Sequence, residues 1–339
     1  MITIKKNSKI YILCPANFET GGTELAHQLV DFLISRNLSA YIVYIANNKY
    51  QNAYVPEGFK KYNVRVASEP IDDGNNVIIF PEINFSFIKK FQNIQFIFWW
   101  MSVDNFYLRT PIFEVLQFFG LFQTLKIAYN RFKTNQNIFG GISINDMKKL
   151  NNRFLHVYQS TYAKHTLLNN NVNEILPLSD YINSDFLAEQ NLNLPKEDII
   201  LYNPAKGLKF TKKIIKLLPK YKFVALEKLT RKELSDYLKI SKLYIDFGNH
   251  PGKDRLPREA VLNNCCVLVG KKGASKYFED ISISNKYKFD EKDLGLIIVA
   301  IEDVILNFDV CKKDFYFYRN RILLEKNKFN SEIEEIFNL

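Results

Sequence analysis

The chain has 339 residues, 47% of them hydrophobic, and a formal net charge of +10. That length and apolar content exceed what one core usually serves and exclude a disordered chain, so two domains of ordinary size are expected. No stretch approaches the roughly 20 apolar residues that cross a bilayer, and the polar start from Met1 to Lys9 leads straight into a strand-like run, which reads as a cytoplasmic, unprocessed protein. The four cysteines, Cys14, Cys265, Cys266 and Cys311, lack C-x-x-C spacing, so buried thiols fit and a metal site does not. The basic excess suits an anionic partner. Part of it is compositional, since lysine, asparagine, isoleucine and phenylalanine are all abundant, and no nucleic-acid motif accompanies it, so nucleic acid is not an expected partner.

Ile10 to Cys14 is an apolar run of the kind buried in a parallel sheet, followed by Pro15 and a loop ending in Gly21-Gly22. Leu25, Leu29, Phe32 and Leu33 recur at helical spacing over Thr23 to Arg36, and a second strand is expected at Ala40 to Ile45. Further strands are expected at Val77 to Phe80, Phe96 to Met101 and Phe154 to Tyr158. A second series follows at Ile199 to Tyr202, Lys222 to Leu226, Leu243 to Phe247 and Cys265 to Val269, with helices over Leu208 to Leu218, Arg231 to Ile240 and Pro257 to Asn264. The alternation predicts two doubly wound α/β halves with a cleft at the carboxyl ends of their strands, joined near Ala188 to Lys196. The boundaries expected are 1–187, 188–314 and a terminal helical segment 315–339. A basic, aromatic helical pair is inserted at about 106–150, and two readings of it stand side by side: a helix resting on an anionic membrane surface, or one packed into its own domain.

Three segments carry polar groups at strand ends. Asn17 to Thr23 holds Gly21 and Gly22 between a strand and a helix, where a backbone can approach a phosphate; G-x-G-x-x-G and the acidic residue that NAD binding needs are missing. Tyr202 to Gly207 places Lys206 at the end of a buried strand, where an ammonium stabilises a departing diphosphate. Asp246 to Ala260 packs His250, Lys253, Asp254, Arg255, Arg258 and Glu259 into a loop opening a helix. In the first half, Trp99 and Trp100 stand beside Asp104 and Asn105. The tryptophans stack on an acceptor sugar in one reading and fill the core in the other, while Asp104 is either a base or positioning group or a helix cap. No Asp-x-Asp pair stands at a strand end, so no metal is expected.

Leu256 to Ala260, followed by Val261 to Gly270, resembles the part of the retaining GT-B glycosyltransferases (family 4-like) that carries the second of two glutamates separated by seven residues. The resemblance covers most of the chain and implies a GT-B fold with two Rossmann-like domains. It further implies Glu259 on the ribose, Lys206 and Gly207 on phosphate, Gly21 and Gly22 as the glycine loop, and Leu229 and Thr230 at the base. Pro251 stands where the first glutamate belongs, and Asp254 is the expected substitute; Lys253, Arg255 or Arg258 would supply the second phosphate-binding cation. The implied donor is a nucleotide sugar such as a UDP- or GDP-sugar, without a further cofactor. The implied acceptor is a glycan or lipid-linked glycan of a bacterial surface polysaccharide, with peripheral contact at the inner membrane surface. The rivals are a GT-B-fold sugar-nucleotide epimerase, using His250, Asp254 and Asp104, and a non-catalytic glycan-binding scaffold.

Overall fold

The computed structural model describes residues 2–47, 49–134, 137, 141–149, 154–183, 186–187 and 194–339. The chain divides into two compact units: Met1–Gln159, Ala163–Ser179 and Phe329–Leu339 form the first, and Ser160–Tyr162 with Asp180–Lys328 form the second. The sequence reading put the changes at 187/188 and 314/315. Its proposed junction at Ala188 to Lys196 lies largely outside the described residues.

Unit 1 is built from β1 (Lys9–Pro15), α1 (Gly21–Ser35), β2 (Ser39–Ala46), β3 (Lys49–Tyr50), β4 (Val77–Pro81), β5 (Gln95–Trp100), α2 (Val103–Tyr107), α3 (Ile112–Phe119), α4 (Leu121–Lys133), α5 (Ile144–Lys148), β6 (Phe154–Tyr158), α6 (Thr161–Asn169) and β7 (Ile175–Pro177). The first three residues of the range 160–169 apart, these elements lie in the first unit. Its seven-stranded sheet has the order β3-β2-β1-β4-β5-β6-β7 and is parallel except for β3. Strands such as Ile10–Cys14 are buried throughout because both faces of a parallel sheet are covered, which is why they read as apolar runs rather than alternating ones. The order reverses between β1 and β4, so their carboxyl ends flank the switch point where α/β sheets hold ligands.

Unit 2 contains β8 (Glu197–Tyr202), α7 (Leu208–Leu217), β9 (Lys222–Ala225), α8 (Arg231–Ile240), β10 (Ser241–Asp246), α9 (Arg255–Leu262), β11 (Cys266–Gly270), β12 (Lys288–Phe289), α10 (Leu294–Leu306), α11 (Phe308–Cys311), α12 (Tyr316–Leu323) and the first turn of α13 (Glu325–Phe337). Its five parallel strands run β12-β11-β10-β8-β9, with the reversal between β8 and β10. The core joins Ile199, Ile200 and Leu201 of β8, Leu243 to Ile245 of β10 and Val267 to Val269 of β11 to Ile214, Leu238, Val261 and Ile301 of the covering helices. The short strands β3, β7 and β12 escaped sequence reading because two or three residues carry no periodicity. All four cysteines are free and buried. No helix among the described residues is long and apolar enough to cross a membrane.

Candidate functional site

The switch point of unit 2 is assembled by two loops that touch through glycine. Gly207 adopts φ 68°, ψ 7°, and a Cβ there would lie 2.5 Å from the Gly248 nitrogen. Only glycine allows both the left-handed conformation and that approach. A Cβ on Gly248 would in turn overlap the Lys206 side chain, so the aliphatic stem of Lys206 crosses Gly248 and its ammonium arrives beside β10. There it pairs with Asp254 and lies 3.4 Å from Asp246.

The two carboxylates are held differently. Asp246, ending β10, accepts from Gly248 N and the Tyr244 hydroxyl, each at 2.9 Å, and is fixed by its own strand. Asp254 sits at the N-cap of α9 but makes no side-chain cap bond; its carboxylate turns instead to Lys206 and to His250, whose Nδ1 is 2.6 Å away. Burial pushes the Asp254 carboxyl up, but His250 and Lys206 outweigh it and hold it below the usual carboxylate range. His250 is fully buried, bridged by its backbone to Gly273, and neither ring nitrogen is aligned for a hydrogen bond. Asp246, His250 and Asp254 offer ligand atoms within 4.8 Å of one another, the spacing of a metal site, and the Lys206 ammonium places its charge against the same oxygens. One turn along α9, Glu259 is buried and accepts from Arg255 Nε at 3.2 Å.

Two expected phosphate ligands are corrected. Arg258 is fully buried: it forks onto Asp180, donates from Nη1 to Glu325 at 2.8 Å, and gives its remaining donors to the carbonyls of Lys253 (3.1 Å) and Asp254 (3.2 Å). Lys253 pairs with Glu325 at 2.6 Å and approaches Asp180 at 3.6 Å. The five donors of Arg258 are thus all taken and none is left for a phosphate, while the Lys253 ammonium is drawn to the same two carboxylates. Burial pushes the Asp180 carboxyl up, and Arg258 and Lys253 bring it below its ordinary range. Sequence reading missed this quartet because Asp180 and Glu325 are far from residue 258 along the chain. A cleft of about 190 Å³ beside it, lined by residues including Lys253, Tyr318, Arg321 and Glu325, is below the roughly 300 Å³ at which small-ligand sites usually begin. The hydroxyl of Thr230 is likewise occupied, capping α8 by accepting from Glu233 N at 3.2 Å while Glu233 caps Thr230 N at 2.7 Å; Leu229 beside it is half-buried.

In unit 1 the acceptor reading of the tryptophans is corrected. Trp99 and Trp100 are fully buried, and their indole N–H groups donate to Leu178 O at 2.9 Å and His156 Nδ1 at 3.0 Å, so no ring face is open to a sugar. Alternation on β5 sends the two rings to opposite faces of a sheet that is covered on both. Asp104 and Asn105 lie in the first turn of α2, behind the Ser102 cap, and are partly exposed. Gly21 and Gly22 open α1, behind a reciprocal Thr20–Thr23 cap, and stand where helix N–H groups lack intrahelical acceptors.

A carboxylate that sequence reading passed over occupies the unit 1 switch point. Glu82 follows β4, is buried, accepts from Met101 N at 3.3 Å, and is bonded by the Asn105 side chain. Met101 also packs near Gly22, 3.6 Å from where a Cβ would stand. Burial pushes the Glu82 carboxyl up to about 7 despite those bonds and the charge of Arg109. The available signal was an acidic residue directly after an apolar strand, at the carboxyl end where such sheets place function.

Because that pKa exceeds the ordinary 4.5, the folded state holds a proton the unfolded chain has lost, so this group's contribution to stability falls as pH rises from about 4.5 to about 7. Glu82→Gln keeps an acceptor for Met101 and removes the charge. It is expected to match the parent at pH 5 and exceed its stability by on the order of 2 kcal/mol at pH 8, read by urea unfolding at both pH values; an equal difference at both would show that Glu82 does not titrate in this window.

Two tandem units, each a mostly parallel sheet with its order reversed beside the first strand, give the chain the GT-B fold. Its solved neighbours include a TarM mutant from S. aureus in complex with fondaparinux, alpha-GlcNAc-glycerol and UDP (17% identity, 79% of this chain and 56% of that one, TM-score 0.53). HepE from Anabaena with UDP and glucose matches at 12% identity over 97% of this chain and 99% of its own (TM-score 0.58), and sucrose-phosphate synthase from Thermosynechococcus elongatus at 11% over 97% and 98% (TM-score 0.57). The chain thus spans a little over half the length of TarM, 56%, and identities this low establish fold alone. No family model matches the chain, and no curated protein matches it by sequence.

Proposed function

We propose that the protein is a glycosyltransferase that moves a sugar from a nucleotide diphosphate sugar to a glycan or lipid-linked acceptor of a bacterial surface polysaccharide, with retention at the anomeric carbon. The observation that carries this reading is Lys206, threaded over Gly248 to the switch point of unit 2 and set beside Asp254 and the first turn of α9. Support comes from the fold and from the UDP and sugar complexes named for TarM and HepE.

In the donor-free site Lys206 is already matched by two carboxylates. On this reading the diphosphate takes the place of Asp254 on the ammonium, and Asp254, still next to His250, turns to the sugar hydroxyls in the role of the missing first glutamate. Glu259 receives the ribose hydroxyls. Lys206 supplies the positive charge that the leaving diphosphate needs as its bond to the sugar breaks, so the transfer needs no metal. Asp104 and Asn105 are assigned to the acceptor; retention places no demand for a base on Asp104.

Calorimetry with a nucleoside diphosphate and with its sugar conjugate tests this assignment, after a thermal-shift screen of UDP-, GDP-, CMP- and dTDP-sugars has identified the donor. Lys206→Ala is expected to weaken both ligands at least tenfold. Asp254→Asn removes a competitor for the ammonium, so it should bind the bare nucleotide more tightly while losing the extra affinity for the sugar conjugate. Unchanged nucleotide affinity in Lys206→Ala would sink the donor site.

A further inference from the structure

Helix α4 is built inside out for a helix bathed in water. Its buried residues are Thr124 and Arg131. The guanidinium of Arg131 donates to the carbonyls of Leu108 and Thr110, each at 2.8 Å, and so ties the helix to its own unit, while the Thr124 hydroxyl donates back along the helix to Gly120 O at 2.8 Å. Leu121, Phe122, Leu125, Tyr129 and Phe132 fall on a separate face, within an arc of about 100° at the helical repeat, and are between 61% and 71% exposed. Phe113 and Leu116 of α3 add to the exposed apolar set, at 56% and 43%. Large apolar side chains exposed together on one face mark an interaction site.

The exposed charge carried by α3 and α4 has one sign. Lys126 and Lys133 border the apolar arc, Lys126 stacking over the Phe122 ring at 4.5 Å. Neither α3 nor α4 carries an acidic residue other than Glu114, which is buried and whose carboxyl burial pushes up to about 7. A second copy laid across this face about a twofold axis would bring lysines against lysines. An anionic bilayer instead accepts the aromatic and leucine side chains below its headgroups and neutralises both ammonium groups.

We propose that α3 and α4 form a membrane-docking surface of unit 1, with Leu121, Phe122, Leu125 and Phe132 as the inserting residues and Lys126 and Lys133 as headgroup contacts, the partner being an anionic phospholipid bilayer. The proposal takes up the bilayer reading of the 106–150 insertion, and it stands independently of the donor site in unit 2.

The test is co-sedimentation of the full chain with vesicles of phosphatidylcholine and phosphatidylglycerol, and with phosphatidylcholine alone. The parent is expected to bind the anionic vesicles at least tenfold more tightly than the neutral ones, and the difference should shrink as salt screens the charges. Phe122→Ser combined with Leu125→Ser and Phe132→Ser, and separately Lys126→Glu with Lys133→Glu, should each lower binding at least tenfold while leaving far-UV circular dichroism and nucleotide affinity unchanged, because all five side chains are outside the core. Phe122→Trp gives a positive readout: its added fluorescence should be quenched by brominated lipid, whereas Trp99 and Trp100 are buried. Failure of the parent to bind anionic vesicles, equal binding by the serine variant, or a concentration-dependent dimer abolished by that variant without vesicle binding would each overturn the proposal.

Discussion

Arg258→Met is expected to destabilise the protein by about 3–5 kcal/mol, the range for removing one partner from a buried ion pair. The reason lies in what remains. Asp180 and Glu325 are both buried, and without the guanidinium their remaining ion-pair partner among the described residues is Lys253, 2.6 Å from Glu325 and 3.6 Å from Asp180. One unmatched carboxylate must then take up a proton or remain charged in a largely desolvated position, and the carbonyls of Lys253 and Asp254 lose their donor. A lower urea midpoint with an unchanged slope is the expected signature. Should the variant instead unfold like the parent and lose nucleotide affinity, Arg258 would return to the phosphate role that the sequence offered it. Replacing Arg258, Lys253, Asp180 and Glu325 together by apolar residues of similar volume should recover much of the loss, since the burden comes from the unmatched charge.

Trp100→Ala should cost a similar amount, about 3–5 kcal/mol, as large aromatic truncations in a core do. The ring is packed by Phe106 at 4.6 Å and Phe98 at 5.1 Å between centroids, and its N–H is the partner of His156 Nδ1. Truncation therefore opens a cavity and strands an imidazole nitrogen in one step. His156 adds a pH dependence: burial holds its pKa down at about 4. The folded state thus lacks a proton that the unfolded chain binds between about 4 and 6.5, and stability falls as pH drops through that window. The parent's dependence there is muted by Glu82 and Glu114, both raised to about 7 by burial and acting in the opposite sense, so variant and parent must be compared at each pH. Chemical unfolding measures the loss; an acceptor-binding tryptophan would leave stability intact and raise KM alone.

The strands Ile10–Cys14, Val77–Phe80, Ile199–Tyr202 and Leu243–Phe247 were legible because a sheet buried on both faces demands unbroken apolar runs, a local property of the chain. Lys206, His250 and Asp254 were each legible as polar residues in loops that follow buried strands, whereas their meeting as one cluster, in place of the expected grouping of Lys206 with Lys253, Arg255 and Arg258, is set by the strand order. Glu82 shares that position and was overlooked, since an acidic residue directly after an apolar strand is a faint signal and the burial that sets it apart is decided by tertiary packing.

The sequence by itself determined the alternation of strands and helices, the two-unit GT-B architecture and the strand-end loops that carry polar residues. Tertiary structure alone decided how the cations divide. Lys206 reaches the switch point, while Lys253 and Arg258, a few residues from Asp254, are consumed by Asp180 and Glu325. It also decided which way Trp99, Trp100 and α4 face. The physical reason is common to all of these: periodicity reports burial of apolar side chains along one element, whereas the partner of a charge and the cover of a helix face are set by residues distant in sequence, through desolvation and Coulomb interactions that no local pattern records.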